Sequence, residues 1–143
     1  MNETQDMLRH YNRLLLVGIW RKMKAGEPLE GEERILGQVM QEHEEYHNTW
    51  EFADVLSDVE YDPESEVNPF LHITIHTVIE NQLAQDAPKG IRGIYEKLMA
   101  RQKDRHEVIH KIGGAFTEEL WKTLKFKRPF NESRYLKTLR RIR

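Results

Sequence analysis

The sequence predicts an all-α protein, a helical bundle of about five or six helices in a single domain covering residues 1–143. Three observations lead there. Apolar residues recur near a period of 3.6 along most of the chain, and helix start and stop signals fall between those stretches. Eight Gly and five Pro are also fewer breakers than strand-rich folds place at their turns. With 38% hydrophobic and 32% charged residues the composition is globular, and 143 residues suit one core.

The elements follow in order. Met7, Leu8, Tyr11, Leu14, Leu15, Ile19 and Trp20 mark a first helix over about residues 4–25, stopped at Gly26-Glu27-Pro28. Ile35, Leu36, Val39, Met40, Tyr46 and Trp50 form the stripe of a second helix, from about Glu30 to Trp50. The acidic stretch near 51–67, with Asp62-Pro63-Glu64-Ser65, reads as a loop preceded by a short helical turn. Asn68-Pro69 starts a third helix that runs to about Asp86, because Asn caps free N–H groups and Pro at the first position forfeits no hydrogen bond. Pro88 opens a shorter helix through Tyr95, Leu98 and Met99, and a longer one spans about Asp104 to Lys125. Asn131 caps a last basic helix, Glu132 to Ile142, whose apolar seam is Tyr135, Leu136 and Leu139.

Several function classes drop out at once. Without cysteine there is no disulfide, thiolate-bound zinc, iron-sulfur cluster or cysteine nucleophile. The longest apolar run, Leu14 to Trp20, is far short of the roughly 20 residues of a membrane span, and no signal-type core follows a basic start. A cytoplasmic protein without a membrane partner is the expectation. The net charge of -2 hides an asymmetry: residues 27–66 hold fourteen acids against Arg34, and residues 121–143 hold nine bases against Glu132. The two segments are expected to face each other within the fold or across a homo-oligomer.

Six of the seven histidines form pairs four residues apart: His43/His47, His72/His76 and His106/His110. Random placement would give roughly 0.3 such pairs. Four residues is one helical turn, so each pair shares one helix face. On a helical wheel each pair falls on an apolar stripe: Leu36, Val39, Met40 and Trp50 around the first, Ile79 and Leu83 around the second, Ile109, Leu120, Trp121 and Leu124 around the third. All three pairs are therefore expected to point inward. Six buried imidazoles cannot readily satisfy one another's nitrogens, and a cation solves the problem. The pattern predicts one or two transition-metal ions (zinc, iron, manganese or nickel) held by His43, His47, His72, His76, His106 and His110. Glu80, one turn beyond His76, is the best carboxylate ligand, and Tyr11, Tyr46 and His10 are weaker candidates. An open coordination position would activate water, with Glu80, Glu44 or Glu107 as base.

His43-Glu44-Glu45-Tyr46-His47 and His106-Glu107-Val108-Ile109-His110 also satisfy H-E-x-x-H, the zinc-peptidase helix. Charged neighbours Glu42, Arg105 and Lys111, and a third pair lacking the Glu, fit a shared multi-helix site better. Inward histidines from several helices make the site layout similar to that of hemerythrin-like and DinB-like bundles, which bind a di-iron centre or a single metal ion. Over most of its length the chain also resembles a bacterial family catalogued as domain of unknown function 1841. That resemblance rests on Asn68-Pro69-Phe70-Leu71-His72, His76, Glu80-Asn81-Gln82-Leu83, Gly90-Ile91-Arg92 and the two other histidine segments. It implies a bacterial, cytoplasmic, helical protein and carries no activity with it.

Binding without catalysis is the competing class. Lys122, Lys125, Lys127, Arg128, Arg134, Lys137, Arg140, Arg141 and Arg143 would attract phosphates, and Phe126, Phe130 and Tyr135 among them could stack on bases. A nucleic-acid or protein interaction module built on the C-terminal helix is the alternative to the metal protein.

Overall fold

A computed structural model of the chain describes residues 3–56, 59–61, 68–102 and 104–143, with side chains from residue 12 onward. Among these residues the fold is all-α. The helices are α1 (Glu3–Lys24), α2 (Glu32–Glu42), α3 (His47–Glu51), α4 (Ala53–Leu56), α5 (Pro69–Gln85), α6 (Ile91–Gln102), α7 (Arg105–Phe126) and α8 (Glu132–Arg140), with a 3-10 turn at Glu44–Tyr46. Eight helices replace the five or six expected, for two reasons. The second predicted helix breaks at His43 into α2, the 3-10 turn and α3, and the acidic stretch contributes the short α4. Residues 57–58 and 62–67 of that predicted loop lie outside the described residues.

The packing separates into two compact units, Met1–Thr77 and Val78–Arg143. In the first, Leu16, Val17, Ile19 and Trp20 of α1 meet Val39 and Met40 of α2, Trp50 of α3, Ala53 of α4, and Phe70 and Ile73 of α5. Gly37 lets α2 lie close: a Cβ there would stand 2.5 Å from Leu29 Cδ1 and 3.0 Å from the Met23 sulfur. The buried Arg13 donates to the Val59 carbonyl at 2.6 Å and lays its guanidinium 4.7 Å from the Phe70 ring centroid.

In the second unit, Ile79 and Leu83 of α5, Ile91, Ile94 and Leu98 of α6, Val108, Ile109, Ile112 and Ala115 of α7, and Tyr135 and Leu139 of α8 form the core. The Tyr135 hydroxyl donates to Gln82 Oε1 at 2.7 Å, and burial pushes its ionisation well above the usual phenol range. Two of the end caps, Asn68 and Asn131, are those the sequence singles out, and Asp104 is a third. Asn68 Oδ1 accepts from Phe70 N and Leu71 N, Asp104 from His106 N and Glu107 N, and Asn131 from Arg134 N. The corner between α5 and α6 turns on Asp86, at φ 50, whose Oδ1 accepts from Gly90 N at 3.1 Å and Arg92 N at 3.0 Å. Arg92 reaches back to the Leu83 and Ala84 carbonyls, supplying donors to the carbonyls left over at the end of α5.

The shared helix α5 has no single buried face. Phe70, Ile73, His76 and Thr77 are buried in the first unit, and Ile79 and Leu83 in the second.

Candidate metal centre

His43 ends α2 with its own side chain. Its backbone leaves helical geometry (φ -107, ψ 69), and Nδ1 donates to the Val39 carbonyl at 2.7 Å, satisfying one of the acceptors that a helix terminus leaves over. With the proton on Nδ1, the ring carries its lone pair on Nε2, and the backbone bond fixes the ring's orientation. Backbone carbonyls orient metal-binding imidazoles in this way. The break also separates His43 from His47. His43 meets His76 with ring centroids 4.5 Å apart and His72 at 5.0 Å, whereas His47 packs on Trp20 at 4.8 Å and donates through Nε2 to the Met40 carbonyl at 3.1 Å. The expectation that His43 and His47 share one helix face is therefore corrected: no helix runs through both.

His72 and His76 do share a face of α5, stacked with centroids 4.6 Å apart. His76 is buried and His72 half-buried. Tyr46 joins this group, 5.8 Å from His43 and 5.4 Å from His72 between centroids. Burial, and secondarily the charge of Glu45, raise its ionisation above the ordinary phenol value, so it stands there as a neutral phenol.

The third pair departs from expectation in burial. His106 and His110 are exposed, because the buried side of α7 is the stripe Val108, Ile109, Ile112, Ala115 and Glu119. Trp121 and Leu124, which made the histidine face look like a core stripe, are themselves exposed. The two rings still act as a pair, one Nε2–H donating to the other's Nε2 at 2.9 Å. Ligand nitrogens about 2.0–2.1 Å from one ion are about 2.9 Å apart at a right angle and about 3.4 Å apart at a tetrahedral one. The pair has the spacing of two neighbouring ligands at a right angle.

Glu80 is committed elsewhere. Its two oxygens accept from the two terminal nitrogens of Arg105, both at 2.7 Å, and this hydrogen bonding raises the Arg105 guanidinium pKa further, its charge secured. To act as a ligand Glu80 would have to exchange that partner. Glu44 and Glu107 are exposed, and Glu107 accompanies a pair on α7 whereas Glu44 sits in the 3-10 turn. The side chains of His10 and Tyr11 lie outside the described residues. Arg105 is the residue that motif reading missed; its only signal was its place directly before His106.

Chemically, His43 and His76 in the first unit, and His106 and His110 in the second, carry ring nitrogens of the kind that could hold a metal ion. Against known proteins, a family model described as a domain of unknown function, DUF1841, matches residues 8–141. The chain belongs to the DUF1841 family. No curated protein and no solved structure matches it.

Within this DUF1841 chain the motif residues divide by task. Asn68 caps α5, Gly90 (φ 102) and Arg92 build the Asp86 corner, and Gln82 anchors Tyr135, so these are structural. No described helix is long and apolar enough to cross a membrane.

Proposed function

We propose that this DUF1841 protein binds transition metal through His43 and His76 of its first unit and His106 and His110 of its second. The observations that carry the reading are the packing of His43 on His76 in the first unit, ring centroids 4.5 Å apart, and the His106/His110 pair in the second, Nε2 to Nε2 at 2.9 Å. Three features support it. The Val39 carbonyl holds the His43 ring with Nε2 as its lone-pair nitrogen. The Nε2 atoms of His106 and His110 have the separation of adjacent ligands. Within the second unit Glu80 grips Arg105, the neighbour of His106, and so steadies the start of α7 that carries the His106/His110 pair.

Imidazole ligands suit zinc, iron, manganese or nickel. His72 and Tyr46 then line the site, and His47 belongs to the α1 packing. Such an ion supplies Lewis acidity and lowers the pKa of a bound water.

Metal content of untagged protein, measured by plasma mass spectrometry beside His43→Ala and His76→Ala, tests this. One ion per chain is expected in the wild type and a near-complete loss in both variants. Protein that takes up none of the four metals, or a His76→Ala variant that keeps its full complement, would overturn the reading.

A further inference from the structure

Each unit exposes an apolar patch, and the two patches carry opposite charge. In the first, Phe52, Val55 and Val59 are exposed, Val55 to 76%, and follow one another through the turns that bond Val55 N to Phe52 O and Val59 N to Leu56 O. Glu51, Asp54 and Glu60 interleave with them, Glu51 pairing with Lys24 at 2.9 Å and Asp54 with Arg21 at 3.4 Å, in a segment, residues 27–66, that holds fourteen acids and one base. In the second, Trp121, Leu124 and Phe126 near the end of α7 are exposed, Leu124 to 71%. Lys125 Nζ lies 4.4 Å from the Trp121 ring centroid and 5.4 Å from that of Phe126, and the Arg128 guanidinium lies 5.1 Å from the Phe126 ring. Lys127 follows Phe126 directly in sequence, and Lys122, next to Trp121, pairs with Glu118 at 3.4 Å.

We propose that these patches bind each other between two copies of the chain, in a two-fold dimer where the acidic patch of each copy covers the basic patch of the other. A nucleic acid or an anionic membrane would account for the basic patch only. A second copy accounts for both, and for the charge asymmetry along the chain. Two-fold symmetry makes the contact twice, once in each direction. Phe52, Trp121 and Phe126 are each more than half exposed, so they alone offer roughly 250–350 Å² per copy. With the aliphatic residues and the charged rims, both patches together approach the roughly 800 Å² per partner of a standard interface. Opposite charges at the rims set the pairing and make it salt-sensitive. The dimer does not depend on the metal site.

Sedimentation velocity of the full chain, with Val55→Lys and Leu124→Asp as variants, tests the pairing. Both positions are exposed, so neither change strains a core. The wild type is expected to be a dimer at tens of micromolar in low salt, loosened by 0.5 M NaCl. Each variant alone is expected to be a monomer, since like charges then meet at both contacts. An equimolar mixture of the two variants should dimerise again, because Lys at 55 on one copy then meets Asp at 124 on the other while the second contact remains native. Recovery in the mixture also shows that both variants fold. A monomeric wild type, variants that dimerise unchanged, or a mixture that stays monomeric would each overturn the proposal. Binding of a single-stranded oligonucleotide by a monomeric wild type, lost in Leu124→Asp, would give the basic patch to nucleic acid instead.

Discussion

Glu80 and Arg105 form a two-pronged ion pair, each carboxylate oxygen 2.7 Å from its own guanidinium nitrogen. Both side chains keep some solvent contact, at 20% and 44% exposure, so the pair contributes only about 1 kcal/mol to stability. Its larger effect is on where α7 begins, immediately before His106.

Glu80→Gln is therefore expected to weaken metal binding about tenfold while leaving the bound stoichiometry unchanged, the size of effect that outer residues have on metal sites. Competition against a chelator measures the affinity, and mass spectrometry the stoichiometry. Complete loss of the ion would mean that Glu80 is itself a ligand.

His47 and His76 should separate by phenotype. His47 is held by Trp20 and the Met40 carbonyl, so His47→Ala is expected to keep the metal and lose about 1 kcal/mol in urea unfolding. His76→Ala is expected to lose the metal. Equal metal loss in the two would place His47 in the centre.

Asp86 gives the fold a defined acid sensitivity. Hydrogen bonds from the Arg92 and Gly90 backbone hold its carboxyl below the usual range. A depressed folded-state pKa stabilises above the unfolded value, near pH 3.9, and that contribution is lost as pH falls through the folded value. Asp86→Asn keeps an acceptor and tolerates the positive φ. The stability gap between it and the wild type should be constant from about pH 7 to 5 and close below about pH 4 in urea titrations. A gap independent of pH down to about 2.5 would contradict this.

Tyr135→Phe removes the hydroxyl that binds Gln82 and tests how α8 is anchored. About 1–1.5 kcal/mol should be lost in urea unfolding, with native helix content by circular dichroism. No change in the unfolding midpoint would show that ring packing against Phe116 and Phe130 suffices.

The sequence made the helices and their caps legible because these depend on local chemistry: Asn68, Asp104 and Asn131 accept the end N–H groups that their residue types favour. It misled where the outcome depended on tertiary burial. A wheel shows which residues are apolar and not which are covered, and Trp121 and Leu124, both uncovered, drew the apparent stripe of α7 onto His106 and His110. The break at His43 was equally hidden, since Glu44 and Glu45 are good helix formers and the ring's own bond to Val39 stops α2. Glu80 was legible as a carboxylate near the site, but its bond to Arg105 joins residues 25 positions apart and has no local signature.

The passage of α5 through both units has a thermodynamic consequence. Phe70 and Ile73 are bound into one core and Ile79 and Leu83 into the other, while the helix between them is continuous. Its backbone bonds span four residues, so those around Thr77 draw their protection from both cores at once. Neither core can melt without fraying the helix that the other needs. A single calorimetric transition is the result expected of such a chain, and two resolved transitions would show that each half of α5 holds on its own core alone.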